Sequence, residues 1–362
     1  MADERVFNFS AGPSVLPLPV LEKAAAEMTN CRGSGMSVTE MSHRSKVFED
    51  ILEETKSDFR RILNIPDTHE ILFMQGGATF QFAAVPLNLI GRTGKADYAL
   101  TGRFSTLAAN EAKKYGKVCI AGTSRDGKFT DIPAQEALTL DADASYFYYC
   151  ANNTIYGTEW NYIPDTGKIP LVTDMSSNLL SRPVNVSKFG LIYGGVQKNM
   201  APAGMAVVII RRDLVGSELS FTPTIMNYKT TLEKNSMYNT PPCFTIYMLG
   251  LTLRWIDENG GLRGMEQLRN ERAGMIYDFL DGSRLFCGCA DREARSMMNV
   301  TFRTGSEELD AKFVKEAAAE GLVNLKGHKA AGGMRASVYN AMPLEGAKKL
   351  VAFMKRFETE NA

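Results

Sequence analysis

"FGLIYGGVQKNMAPAGMAVVII", residues 189–210, holds one lysine between two apolar runs. Each run has the length and β-branched content of a buried strand. The segment joining them is built from Gly194, Gly195, Ala201, Pro202, Ala203 and Gly204. Lys198 therefore sits in a turn of small residues between two core strands, where another molecule can come close to its amine. A solvated surface lysine needs no such setting.

The surrounding chain reads as alternating helices and strands. Val47, Ile51, Leu52, Phe59, Ile62 and Leu63 recur at helical spacing, and "EILFMQGG" then reads as a strand entering a glycine turn. "FQFAAVPLNLI" and "STLAANEAKKYG" read as helices, and "KVCIAG", "ASYFYYC", "IPLVTDMSS", "FGLIYGG" and "MAVVIIRR" as strands. This alternation predicts a mostly parallel α/β sheet covered on both faces. Beyond about residue 256, near "WIDENGGL", the pattern changes. "MMNVTFR", "LVNLKG" and "MRASVYN" read as strands, and "EELDAKFVKEAAAEG" and a last helix with Leu350, Phe353, Met354 and Phe357 on one face accompany them. A smaller α+β domain is expected there.

Composition excludes several classes. The 362 residues allow two domains at about 150 residues each. The 41 basic and 41 acidic residues cancel, so neither nucleic acid nor an acidic solvating role is indicated. No apolar run approaches the ~20 residues that span a bilayer, so no membrane association is expected. Asp3, Glu4 and Arg5 interrupt the N-terminus without an apolar signal core. Six scattered cysteines lack CxxC spacing and read as reduced thiols, which fits a cytoplasmic protein. The only histidines are His43, His69 and His328, which argues against a histidine-rich metal centre. GxxxxGK[ST], HExxH, GxSxG and GxGxxG after the first strand are all absent.

What remains is a lysine, an aspartate and glycine turns at strand ends, where open α/β sheets bind ligands. Asp174 closes the apolar "IPLVT", twenty-four residues before Lys198. A lysine that condenses with an aldehyde, facing an acid that pairs with a pyridine nitrogen, is the pattern of pyridoxal phosphate enzymes. "QGGATFQ", residues 75–81, offers a glycine turn opening a helix whose free N–H groups can hold a phosphate. Each piece also has a plainer reading: the aspartate as a helix cap, the lysine as a solvated charge, the glycines as a tight turn.

"FNFSAGPSVLP", "SGMSVTEMSHRS", "FQFAAVPLNLIG", "VNVSKFGLIYGGVQKN", "NTPPCF", "KGH" and "GGMRASVYNAMPLEG" go further. With these motifs the chain resembles, nearly end to end, the phosphoserine aminotransferase family of class V, fold-type I pyridoxal phosphate enzymes. The resemblance implies a large domain, 16–256, with a mostly parallel seven-stranded sheet, and a small C-terminal α+β domain, 257–362, on which residues 1–15 pack. It implies that Lys198 carries pyridoxal 5'-phosphate as an internal aldimine, that Asp174 pairs with the pyridine nitrogen, and that Thr154 contacts the 3-hydroxyl. Ala78 and Thr79 would present backbone donors to the cofactor phosphate, helped by Gln197, with Asn239 and Thr240 reaching it from the other subunit of a homodimer. Arg335 is the expected clamp for the substrate α-carboxylate, and His43, Arg44, His328 and Lys329 surround the distal anion. The implied reaction is ping-pong transamination between L-glutamate and 3-phosphohydroxypyruvate, giving 2-oxoglutarate and O-phospho-L-serine in serine biosynthesis.

Several positions depart from the family pattern. Phe104 stands at the ring-stacking position where Trp is common, Ser45 and Ala201 replace Gly, Asn153 replaces Glu, and Lys329 replaces Arg. Two other readings stay open at this level. One is a different class V reaction, including a desulfurase if Cys287 or Cys289 in "FCGCA" reached the cofactor. The other is a scaffold that keeps the fold without the chemistry.

Overall fold

The computed structural model describes residues 5–361. Met1–Glu4, part of the N-terminal stretch read above for a signal core, and Ala362 lie outside the described residues. Seven strands form the principal sheet: β1 (His69–Gln75), β2 (Lys95–Leu100), β3 (Lys117–Thr123), β4 (Phe147–Cys150), β5 (Leu171–Asp174), β6 (Leu191–Gly195) and β7 (Met205–Arg211). Their spatial order is β1-β7-β6-β5-β4-β2-β3. Neighbours from β6 through β3 pair in parallel, and β7 runs antiparallel to both β1 and β6. The reversal follows from the short turn between β6 and β7, since a parallel crossover needs about a dozen residues or more. The expected mostly parallel seven-stranded α/β sheet is therefore present.

Both faces of the sheet are buried, as the continuous apolar runs require. Phe147, Tyr149, Val207 and Ile209 face one apolar cluster with Phe48, Ile51, Phe59, Leu249 and Leu253. Tyr146, Tyr148, Val208 and Ile210 face the other with Leu72, Val85, Tyr98 and Tyr193. This is the two-residue alternation of a strand, apolar on both sides. Strand β2 is absent from the hydropathy reading above because Asp97 interrupts it. That carboxylate is buried, and its Oδ2 accepts the Asp141 N–H at 2.7 Å.

A third cluster builds the C-terminal α+β unit. Strands β8 (Cys287–Gly288), β9 (Asn299–Arg303) and β10 (Met334–Ser337) form an antiparallel sheet in that order. Phe302, Ala336 and Val338 pack there against Phe313, Leu350, Phe353 and Phe357 from the helices Glu307–Ala319 and Leu344–Asn361. Phe9 enters this cluster, and Phe7–Asn8 pairs in parallel with Leu322–Val323. The helix Gly261–Gly282 gives Leu262 and Met265 to the large-sheet cluster and Ala273, Ile276 and Leu280 to the small one. We propose a boundary at residues 256/257, with this helix shared between the two units. Among the described residues no helix is long and apolar enough to cross a membrane.

Candidate active site

Asp174 is the last residue of β5, opposite Cys150 on β4 and Tyr193 on β6. It is buried, and its Oδ1 accepts the Ser176 N–H at 2.8 Å, a local turn contact that leaves Oδ2 available. From the turn after β6, Lys198 reaches back over the same strand ends. Its amine donates to Thr154 Oγ1 at 2.6 Å and to Ser177 Oγ at 2.8 Å. Burial pushes this amine below the usual lysine range; Asp174 and Cys150 pull it back up, while Arg335 pushes it further down. A solvated surface charge is thereby excluded for Lys198.

The floor and walls are close-packed. Gly195 ends β6, and a Cβ there would lie 2.7 Å from Gln197 Oε1 and 3.1 Å from Ala78 Cβ. Only a glycine lets the start of the helix Gly77–Leu89 approach this near. Gly76 caps that helix and Gly77 begins it, both with positive φ, and Ala78 and Thr79 lie in its first turn, where main-chain N–H groups have no helical acceptor. The Lys198 Nζ stands 5.3 Å from the centroid of the Phe104 ring. Across the site, Gly12, with φ +136°, would place a Cβ 3.1 Å from Lys198 Cγ, and Ser14 donates from its N–H to Gln197 O at 3.0 Å and from its hydroxyl to Lys198 O. The segment around Gly12 thus straps the lysine turn.

The cationic side comes from the small sheet. Arg335, on β10, donates from Nη1 to Thr154 O at 3.3 Å, and among the described residues its Nε is buried without a partner. Burial depresses the guanidinium's proton affinity, and among the described residues no carboxylate offsets it. His328 and Lys329 stand in the hairpin that precedes β10, closed by Gly327 N–H to Gly333 O at 2.8 Å. His328 is held below its ordinary value by burial first, then by the charges of Arg335, Arg103 and Lys329.

Within one chain the structure unites Lys198, Asp174, Thr154, Phe104, Gln197, Ala78, Thr79 and Arg335, with His328 and Lys329 at the rim. Asn239 and Thr240 lie exposed beside Gln75 at the outer edge of β1, through Asn239 Nδ2 to Gln75 Oε1 at 3.3 Å and Gln75 Nε2 to Thr240 O at 2.5 Å. His43 and Arg44 occupy a turn ahead of the helix Lys46–Leu63, and no contact among the described residues joins them to His328. Ser45 caps that helix, its hydroxyl accepting the Phe48 N–H at 3.3 Å. Asn153 packs against Gly102 and donates to Thr101 Oγ1 at 3.2 Å and Thr158 Oγ1 at 3.0 Å. Ala201 is buried, its N–H bonded to Val196 O at 2.9 Å. Ser177, Ser14 and Arg103 went unassigned in the sequence; only Ser177, three residues past Asp174 in "DMSS", had a positional signal. Cys287 and Cys289 belong to β8 and its continuation, with Cys289 Sγ accepting from Arg303 Nε at 3.3 Å.

These residues fit pyridoxal phosphate: a desolvated amine, a buried acid, an apolar ring face and a helix start opened by glycines. Residues 6–350 match the family model described as aminotransferase class V. The chain is similar to a phosphoserine aminotransferase of Bacillus cereus, 51% identical over 99% of both chains. In structure it is similar to the phosphoserine aminotransferase of Bacillus circulans subsp. alkalophilus, with TM-score 0.97 and 44% identity over 99% of this chain and 100% of that one. It is also similar to the PLP-bound phosphoserine aminotransferase of Trichomonas vaginalis, with TM-score 0.93 and 42% identity over 97% of this chain and 100% of that one.

Proposed function

The chain belongs to the class V aminotransferase family, and on that premise we propose how its residues carry out amino transfer between L-glutamate and 3-phosphohydroxypyruvate. It is a pyridoxal phosphate-dependent phosphoserine aminotransferase by its full-length likeness to that group. The observation that carries the residue assignment is the charge pattern: a desolvated Lys198 amine beside an Arg335 guanidinium that no carboxylate among the described residues satisfies.

When bound, the cofactor supplies an electron-withdrawing ring that stabilises negative charge at the substrate Cα. The protein's residues do the rest. Ala78 and Thr79 bind the cofactor phosphate through main-chain N–H groups, with Gln197 beside them. Asp174 keeps a proton on the ring nitrogen, and Phe104 covers one ring face with an apolar surface. Thr154 and Ser177 hold the Lys198 amine when it is not joined to the cofactor. The amine's depressed proton affinity would let it act as the base that takes a proton from the substrate Cα. Arg335 grips the α-carboxylate in a forked contact, which both substrates can make. His328 and Lys329 meet the distal anion, γ-carboxylate or phosphate, and we keep His43 and Arg44 in that set although no contact among the described residues joins them to His328.

We place Asn239 and Thr240 in the neighbouring subunit's site, because both are exposed on an outer strand edge. The functional unit is then a homodimer, working in the cytoplasm. A fully active, cofactor-loaded monomer in analytical ultracentrifugation would refute that assembly. The reaction itself is tested by mixing holoenzyme with single amino donors and following the cofactor's visible absorbance. Glutamate and phosphoserine should each change the spectrum in one half-reaction. A protein that answers only to other donors would overturn the reading.

A further inference from the structure

We infer that Arg103 is a specificity residue of this site, a guanidinium that binds the distal phosphate of the phosphorylated substrate. The inference rests on the functional reading above and names a residue that reading does not use.

Arg103 opens the helix Arg103–Ala112, immediately before Phe104, whose ring stands 5.3 Å from the Lys198 amine. The preceding Gly102 is pressed against Asn153, where a Cβ would lie 2.7 Å from Asn153 Oδ1. Asn153 in turn precedes Thr154, which takes the Lys198 amine on its hydroxyl and the Arg335 guanidinium on its carbonyl. Contacts of both its chain neighbours, Gly102 to Asn153 and Phe104 to Lys198, therefore hold Arg103 beside the lysine and Thr154. The side chain is exposed, and none of the ion pairs found among the described residues includes it. Its charge lowers the proton affinity of both the His328 ring and the Tyr156 phenol, which puts it in the electrostatic neighbourhood of the hairpin that carries His328 and Lys329.

The chemistry of the distal group explains why such a cation is useful. Arg335, Arg103 and Lys329 crowd His328 with like charge. That is a cost without a ligand and a gain with a dianion between them. Lys329 brings a point charge, whereas a planar guanidinium can bond two phosphate oxygens at once. Arg103 supplies that fork from the large domain, opposite the small-domain hairpin. A γ-carboxylate carries less charge and fewer acceptor oxygens, so glutamate depends on it less.

The test compares half-reactions of holoenzyme with phosphoserine and with glutamate in the parent, Arg103→Ala and Arg103→Lys, with inorganic phosphate as a competing anion. Losing one charge-assisted contact should lower the phosphoserine specificity constant about tenfold in Arg103→Ala, chiefly through KM. Glutamate should change by less than about threefold, as for a rim charge. Arg103→Lys should fall between parent and alanine, and inhibition by inorganic phosphate should weaken in the same order. An unchanged phosphoserine-to-glutamate ratio in Arg103→Ala, with the parent reacting normally with both, would overturn the role of Arg103 alone. A parent that reacts with glutamate but not with phosphoserine would instead overturn the functional reading, and the inference with it.

Discussion

Arg335 donates to the main-chain oxygen of Thr154 at 3.3 Å, and the hydroxyl of that same Thr154 receives the Lys198 amine at 2.6 Å. One threonine thus joins the guanidinium on the small sheet to the lysine at the end of the large one. Because Arg335 has a buried Nε without a partner among the described residues, the proposed substrate carboxylate would complete its hydrogen bonding rather than compete for it. On the proposed assignment, substrate binding would be tied to the region that holds the amine.

Arg335→Ala removes the contact that both substrates share. The specificity constant should fall for glutamate and phosphoserine together, by a factor corresponding to about 1.5–3 kcal/mol. Steady-state kinetics with each substrate checks this, and loss for only one of them would reassign the arginine.

Replacing Lys198 with Ala leaves no amine to bind the cofactor covalently or to move the Cα proton. Turnover should disappear, along with the lysine-dependent visible absorbance. Wild-type-like turnover in that variant would defeat the assignment.

The pH dependence follows from the same lysine. A neutral amine is the nucleophile, and burial lowers its proton affinity in the folded, cofactor-free protein. The rate of pyridoxal phosphate capture should therefore rise with pH through a midpoint below the ~10.4 of a free lysine. Arg335 contributes to the depression, so Arg335→Ala should move that midpoint up. A downward move, measured by stopped-flow absorbance, would contradict the electrostatics.

Asp174→Asn keeps the shape and the turn contact but removes the anion. The ring nitrogen of the bound cofactor should lose its proton, with turnover falling by about two orders of magnitude or more and cofactor binding weakening. An asparagine variant that turns over like its parent would leave Asp174 as a turn residue only.

Lys329→Ala should raise the KM for phosphoserine more than for glutamate, and Lys329→Arg should restore it. The expected scale is roughly 1.5–3 kcal/mol for a desolvated contact and less for an exposed one. If both variants keep the parent's preference, Lys329 is a solvated charge.

Legibility in the sequence tracked locality. The strands with unbroken apolar runs, β6 and β7 above all, were readable because both faces are buried and no polar residue interrupts them. β2 was hidden by Asp97, a carboxylate whose acceptor role depends on Asp141, far along the chain. Asp174 and Lys198 could be paired by motif because each ends or follows a strand of one sheet. Ser177 and Ser14 were not assigned, since each acquires meaning only through contacts across the fold.

By itself, the sequence determined which residue types were available and their local frames: a lysine in a tight turn, an acid at a strand end, glycines opening a helix. Those follow from short-range backbone sterics and from two-residue or helical periodicity, which operate within a few residues. Tertiary structure alone decided that β5 and β6 are neighbours, that Thr154 lies between Lys198 and Arg335, and that Arg103 shares an electrostatic neighbourhood with His328. These relationships depend on strand order and on how the small sheet packs against the large one. Desolvation and charge proximity then lower the proton affinity of the Lys198 amine and the Arg335 guanidinium, and neither effect exists until distant segments close around them.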